Sequence, residues 1–376
     1  MPLYVNGQQI PVLLDTGSSN LILIGDRSLC PTSKCSINTP GEVQFSPLPN
    51  QQSIGTNYDI FYGLGNGTLS LYSEPVKLLS DGPEIQYDVG VFTQGEYLDN
   101  ILGLAYESLL VGPSTYDSFW HHYQASQTIT DVFAINLCMY NNQTSSVEFG
   151  SFDPGVNLQY TDILQTPHLA RPQDLTYYTV QPLKLWLDDS NSVAFPAISG
   201  TDQVYTIIDS GTGGIFLTDQ MLSAIAAYYE SAGIPSEFWD NSPTAQKFVK
   251  IKPAQYAKLK PMQIEFSSST QGGQTFRVAL SPDSYLFITA VDSNNNPTGY
   301  GSLFASTSDV QDSGATLILG TPFMMNAYTV FDRANSRIGL ADNTSLCAAT
   351  VRQPLMKARK CDTPGACGVR FRKHRH

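Results

Sequence analysis

Asp15-Thr16-Gly17-Ser18-Ser19 and Asp209-Ser210-Gly211-Thr212-Gly213 repeat one pattern 194 positions apart, and each copy lies between two apolar runs. Ile10, Val12, Leu13 and Leu14 precede the first copy, and Leu21 to Ile24 follow it. Val204, Tyr205, Ile207 and Ile208 precede the second, and Ile215, Phe216 and Leu217 follow it. Both read as strand, tight turn, strand. A carboxylate on such a turn, followed by a hydroxyl residue and then a glycine, is held by backbone donors where glycine lets other atoms approach closely. Such a chain folds as two related halves, and the two turns can bring two carboxylates together. Two close carboxylates cannot both ionise, so they share a proton and titrate as a coupled pair. One then acts as base toward a water molecule and the other as acid toward a carbonyl. Direct hydrolysis of an amide requires that pair and no metal, cofactor or nucleophilic side chain.

Further segments follow in a fixed order. Tyr62-Gly63-Leu64-Gly65 runs into Gly67-Thr68-Leu69, and Asp99-Asn100-Ile101-Leu102-Gly103-Leu104-Ala105-Tyr106 holds an apolar-apolar-glycine element. The second half has a matching Leu317-Ile318-Leu319-Gly320, then Tyr328-Thr329-Val330-Phe331-Asp332-Arg333-Ala334-Asn335 and Ile338-Gly339-Leu340-Ala341. With this ordered set the chain resembles the pepsin-like aspartic proteases from about Leu3 to about Asp342. The resemblance implies a mostly β, bilobal fold of two pseudo-symmetric β-rich lobes with a cleft between them, the apolar-apolar-glycine element packing beneath the active-site loop. It implies an N-terminal lobe over residues 1–165, a C-terminal lobe over 166–346 and a basic tail over 347–376.

In an aspartic endopeptidase of this kind Asp15 and Asp209 form the dyad. Tyr62 and Gly63 contact the substrate from a flap, Gly17 and Gly211 line the turns, and the Ser18 and Thr212 hydroxyls hold the carboxylates and favour an acidic working range. Leu13, Leu98 and Ile101 are candidate walls of an apolar pocket, so large apolar residues are expected beside the scissile bond. An extended peptide or protein substrate binds as an added strand, and pepstatin-type inhibitors are expected to compete with it. No cofactor is implied, and the expected state is a monomer. Cys30 and Cys35 correspond to a small disulfide common in the family. Cys138 and Cys347 resemble a bridge of the β-secretase branch; Cys361 and Cys367 would then pair within the tail, although sequence leaves the connectivity, and free thiols, open.

The chain departs from the family pattern at Ile22, where a tryptophan usually hydrogen-bonds the flap tyrosine; a looser resting flap is expected. Ser210 stands for the more usual threonine and keeps the hydroxyl. Asp15 lies only fourteen residues after Met1, without the additional strand, signal peptide or pro-segment that family members carry first; the expectation is an incomplete product or a protein lacking that strand. One rival reading is a catalytically weak scaffold that binds or inhibits, although such a role has no need of both turns. A glycosidase is the other, but its carboxylates sit farther apart and do not share a proton.

Several motifs have plainer readings. Asp312-Ser313-Gly314 follows a polar stretch and is assigned to a loop. Gly63-x-Gly65-x-Gly67 precedes no helix and reads as a hairpin turn, not a phosphate loop. Asp292-x-Asn294-x-Asn296 begins like a calcium loop, but Pro297 occupies the place that needs glycine. His121 and His122 are adjacent, so a helix would not put them on one face for a metal, and they read as solvated polar residues. The spacing of Met221, Leu222, Ile225, Ala226 and Tyr229 predicts a helix over Asp219–Ala232, with another around Pro253–Leu259.

At 376 residues, 41% apolar and 14% charged, the chain can bury two cores. Its charge is divided unevenly. Residues 352–376 carry eight Lys or Arg and one acid, leaving 13 basic against 32 acidic side chains in the rest, a net of −19 there. Such an acidic body suits an acidic medium. The tail has no folded reading platform beside it, so no nucleic-acid partner is expected; a solvated terminus or a contact with the acidic body is. No run is long and apolar enough to span a membrane. Six cysteines and the sequons at Asn66, Asn142 and Asn343 point to an oxidising route, secretion or an acidic lumenal compartment. Asn66 lies on the expected flap, where a glycan would obstruct the cleft, so that sequon is expected to be unused.

Overall fold

The computed structural model describes residues 1–347 except 38–40, 49–50, 62–64, 114, 139–144, 167–174, 198–203, 241–248, 295, 308–315 and 345. It is mostly β, as expected, and divides into two compact units. Among the described residues, the first holds Met1–Ile129 and the short run ending at Tyr177, and the second holds the others from Thr130 to Cys347.

The first unit is a nine-stranded sheet. Its strands are β1 (Pro2–Val5), β2 (Gln8–Pro11), β3 (Leu13–Asp15), β4 (Leu21–Ile24), β5 (Cys35–Ile37), β6 (Gly55–Phe61), β7 (Asn66–Lys77), β8 (Ile85–Leu98) and β9 (Ile101–Gly103). Their order is β2-β1-β7-β8-β4-β9-β3, with β5 on β8 and β6 on β7. Leu21 to Ile24 are all buried, which is why β4 reads as an unbroken apolar run and not an alternating one. The short β9 sits between the strands flanking the first Asp turn, parallel to β3 (Leu13↔Ile101, Asp15↔Gly103) and antiparallel to β4 (Ile22↔Ile101).

The second unit repeats that insertion. Thr316–Leu319 runs parallel to Tyr205–Ile208 (Ile208↔Leu319) and antiparallel to Ile215–Leu217 (Ile215↔Leu319). Three further sheets surround it. In the five-stranded one, Val132–Asn136 pairs with Ala327–Asp332, and Phe133 stacks on Phe331 with centroids 4.7 Å apart. The hairpin of Leu286–Val291 and Pro297–Ser302 is closed by Asp292, whose Oδ1 accepts from the backbone N of Asn294 (2.8 Å) and Asn296 (2.9 Å). The Asp-x-Asn-x-Asn run is thus turn chemistry.

Two helices matter below. α1 (Phe119–Gln127) has no sustained apolar period and so gave no sequence signal; Ser118 caps it, and Phe119 and Trp120 anchor its first turn in the core. His121 on it is exposed, as expected of a solvated residue, and His122 is half-buried with its ring edge-on against Tyr87 at 5.8 Å. α2 (Asp219–Glu230) starts at the Thr218 cap and buries Met221, Leu222, Ile225, Ala226 and Tyr229, the face its spacing predicts. It stops two residues short of Ala232, just before Gly233 turns the chain at φ 72°. The second expected helix is one turn, Pro253–Tyr256.

Cys30 bonds to Cys35 and Cys138 to Cys347, closing loops with sequence separations of 5 and 209. Cys361, Cys367, Asn142 and Asp312-Ser313-Gly314 lie outside the described residues. Asn343 departs from its reading as a glycan acceptor. Its side chain is 4% exposed, and Nδ2 donates to Leu137 O (3.1 Å), Asn136 Oδ1 (3.3 Å) and Met325 O (3.4 Å). A glycan on that nitrogen has no room in the fold.

Candidate active site

Asp15 is the last residue of β3 and is fully buried. The turn after it closes on its own carboxylate: Gly17 N donates to Oδ1 (3.0 Å) and Ser18 Oγ donates to Oδ2 (2.5 Å). Neighbouring segments fix the turn in place. Ser19 Oγ donates to Tyr106 O (2.6 Å). Asn20 clamps the backbone of Val111, donating from Nδ2 to its O (2.7 Å) and accepting at Oδ1 from its N (3.0 Å). Leu104 N donates to Asp15 O and Ala105 N to Ser18 O, both at 2.8 Å.

Asp209, one residue beyond Tyr205–Ile208 and also fully buried, is held the same way. Gly211 N donates to Oδ1 (2.7 Å) and Thr212 Oγ1 to Oδ2 (2.5 Å). Short hydroxyl-to-carboxylate contacts of this kind are among the stronger hydrogen bonds. Each turn therefore presents a carboxylate with one backbone and one hydroxyl donor already assigned, which leaves the oxygens little freedom to reorient.

The apolar-apolar-glycine elements owe their glycines to these turns. A Cβ on Gly103 would lie 2.6 Å from both Ser18 O and Asn20 N; one on Gly320 would lie 2.3 Å from both Thr212 O and Gly214 O. Each glycine lets the inserted strand pass flat against the turn that carries the aspartate, and its own N donates into that turn, Gly103 N to Asn20 O (2.9 Å) and Gly320 N to Gly214 O (3.2 Å). The family resemblance implies that the element packs beneath the active-site loop, and these contacts show why its last residue is glycine.

The expected flap residues Tyr62 and Gly63 lie outside the described residues. Their frame is a hairpin: β6 and β7 pair antiparallel as far as Phe61↔Asn66. Thr68 at its base donates to Asp59 Oδ1 and accepts from Gln94 Nε2, both at 2.8 Å. Of the residues expected to wall an apolar pocket, Leu98 and Ile101 are buried in one cluster with Ile22, Leu69, Phe92 and the Cys30–Cys35 bridge, while Leu13 is 38% exposed. Asn100 carries support that the sequence reading missed. It is buried, accepts from Ile24 N (2.7 Å), donates to Val43 O (2.8 Å), and its own carbonyl accepts from Leu13 N (2.9 Å). A lone amide between apolar runs was its only signal.

Residues 4–343 match the family model of the eukaryotic aspartyl proteases. A β-secretase of Strongylocentrotus purpuratus is 25% identical over 90% of this chain, pepsin A of Sus scrofa 29% over 89%, and pepsin II-1 of Oryctolagus cuniculus 25% over 89%. The chain spans 64% of that β-secretase's length, 78% of the pig pepsin and 77% of the rabbit one. With a family model covering almost its full length, and two buried aspartates held by matched turns, the chain belongs to the eukaryotic aspartyl proteases, a family of aspartic-type endopeptidases.

Proposed function

We propose that this protein hydrolyses peptide bonds with a water molecule activated between Asp15 and Asp209. The observation that carries the reading is the identity of the two turns: each buried aspartate ends or follows a strand, and each receives one backbone N–H on Oδ1 and one hydroxyl on Oδ2. With those donors in place, the dyad shares one proton. The ionised member takes a proton from water as it attacks the scissile carbonyl, and the protonated member donates to the carbonyl oxygen. No metal, cofactor or covalent intermediate takes part in this scheme.

The peptide binds in extended form, adding main-chain hydrogen bonds to the flap edge at Tyr62 and Gly63. Leu13, exposed and paired in register with Ile101, offers an apolar surface, which supports a preference for large apolar residues beside the scissile bond. Ile22 is fully buried in the cluster behind the flap hairpin and offers the flap tyrosine no hydrogen bond. The two disulfides and the acidic body are supported best by a secreted or acidic lumenal setting. No helix among the described residues is long and apolar enough to cross a membrane.

The test is cleavage of a quenched fluorescent peptide with paired apolar residues, scanned from acidic to neutral pH, with and without pepstatin. Activity is expected to be pepstatin-sensitive and absent in Asp15→Asn and in Asp209→Asn. Activity that survives either substitution, or folded wild-type protein that cleaves nothing at any pH, would refute the scheme.

A further inference from the structure

The sequon Asn66-Gly67-Thr68 opens β7. Asn66 pairs with Phe61 across β6 and with Glu96 across β8. Directly paired residues place their side chains on one face of a sheet, and the face alternates along each strand. Ile60 is buried in the cluster that holds Ile22 and Leu98, so its neighbour Phe61, together with Asn66 and Glu96, takes the opposite face. All three are exposed, Phe61 by 45%.

The other two residues of the sequon have reasons in the fold. A Cβ on Gly67 would lie 2.5 Å from Phe92 Cε1 and 2.7 Å from Gln94 O, and the Thr68 hydroxyl joins Asp59 to Gln94. Neither reason extends to Asn66 and Phe61. Asparagine is depleted in strands, and an exposed aromatic ring leaves apolar area in water.

Both residues border a polar groove of about 530 Å³, lined also by Ser33, Lys34, Gln94 and Glu96. That volume falls in the range of small-ligand sites. The groove is built on fixed elements: the Cys30–Cys35 bridge closes the loop that carries Ser33 and Lys34, and Lys34 O accepts from Gly95 N on β8 (2.9 Å). An apolar ring bordered by hydroxyl, ammonium, amide and carboxylate groups matches a pyranose, whose C–H face is apolar and whose edge carries hydroxyls.

We propose that Asn66 is an N-glycosylation site and that the first N-acetylglucosamine of its glycan lies in this groove against Phe61. Asn66 Nδ2 forms the bond to C1 of the sugar and gives up a proton, and the lipid-linked pyrophosphate that carried the oligosaccharide leaves. The transfer acts on the chain before it folds, when the Thr68 hydroxyl is free. A flap position argues against use of this sequon, but the exposure of Asn66 on the face away from the apolar cluster argues for it. The proposal rests on the secretory setting proposed above and not on the aspartate dyad.

Glycopeptide mapping of the full chain, produced through a eukaryotic secretory route, tests it. The expected result is a glycan on Asn66, lost with a matching fall in mass in Asn66→Gln. A bare Asn66 would overturn the proposal, and bare material that still cleaves peptide would leave the catalytic reading standing by itself. The groove contact has its own readout in thermal unfolding. Asn66→Gln should lower Tm by about 1–3 °C, whereas endoglycosidase trimming to the first sugar should leave Tm unchanged. In a Phe61→Ser background the effect of Asn66→Gln should vanish, because the ring that the sugar covers is gone. An equal drop in both backgrounds, or a drop on trimming, would overturn the placement of the first sugar on Phe61.

Discussion

Replacing Gly320 by alanine isolates the close approach of the inserted strand to the second aspartate turn. Gly320 has φ −83°, open to any residue, so space alone opposes a side chain. The new Cβ would stand 2.3 Å from Thr212 O and from Gly214 O, where ordinary contact begins near 3.4 Å, so both carbonyls must retreat by about 1 Å. Those carbonyls accept from Thr321 N (2.8 Å) and Gly320 N (3.2 Å). Overpacking costs about 1–3 kcal/mol, and each strained hydrogen bond adds about 0.5–1.5 kcal/mol. The smaller entropy of unfolded alanine returns about 0.4–1 kcal/mol. The net expectation is a destabilisation of about 1–5.5 kcal/mol. Thr212 also donates to Asp209 Oδ2, so moving its backbone displaces the carboxylate's donor and should lower kcat about 100-fold. Gly103→Ala, with contacts at 2.6 Å, should fall short of this, and Gly272→Ala, with nothing within 4 Å, should stay within about 0.5 kcal/mol of wild type. Urea unfolding and steady-state cleavage of the fluorescent peptide measure both effects. If Gly320→Ala matches Gly272→Ala in stability and activity, the packing argument is wrong.

Four further outcomes are expected. Thr212→Val removes a buried hydroxyl donor from a carboxylate, an interaction of about 1.5–3 kcal/mol, so kcat/KM should drop roughly ten- to a hundredfold with the fold intact; an unchanged value would remove Thr212 from the machinery. Glu74 on β7 is fully buried, and burial pushes its carboxyl pKa up, a push that nearby Gln51 partly offsets. The folded protein then binds more protons than the unfolded one as pH rises through the ordinary carboxyl range. Stability is therefore full on the acid side and declines as pH rises above the ordinary carboxyl range. Glu74→Gln should flatten that decline in urea titrations while leaving acid stability unchanged, and an equal gain at every pH would contradict it. Replacing Cys138 and Cys347 by alanine opens a loop of separation 209, worth about 5 kcal/mol by chain entropy, against about 2 kcal/mol for Cys30 and Cys35; calorimetry should rank the two pairs in that order. Glycopeptide mapping of secreted material should find Asn343 unmodified, because its amide nitrogen is spent on three buried acceptors.

What could be read from the sequence was whatever has local cause. The two Asp turns announce themselves because a short polar segment between apolar runs needs no distant residue to be recognised, and α2 shows itself because its buried face recurs at helical spacing. α1 was invisible since two aromatic residues in its first turn anchor it and nothing periodic follows. The same distinction governs the site. Ser18 and Thr212 sit three residues from their aspartates, so their hydrogen bonds are legible as spacing. Asn20 reaches Val111 across 91 positions, and Asn100 reaches Val43 across 57, contacts set by sheet order and not by sequence neighbourhood. That the apolar-apolar-glycine element packs beneath the active-site loop follows from the family resemblance, whereas no spacing reports that Gly103 and Gly320 themselves touch the aspartate turns. The duplicated fold supplies the missing constraint: a strand inserted parallel to one flank of a turn and antiparallel to the other must cross the turn itself. Only a residue without a side chain passes there. The position of the glycine, one residue past an apolar pair, is therefore a consequence of where the aspartate stands.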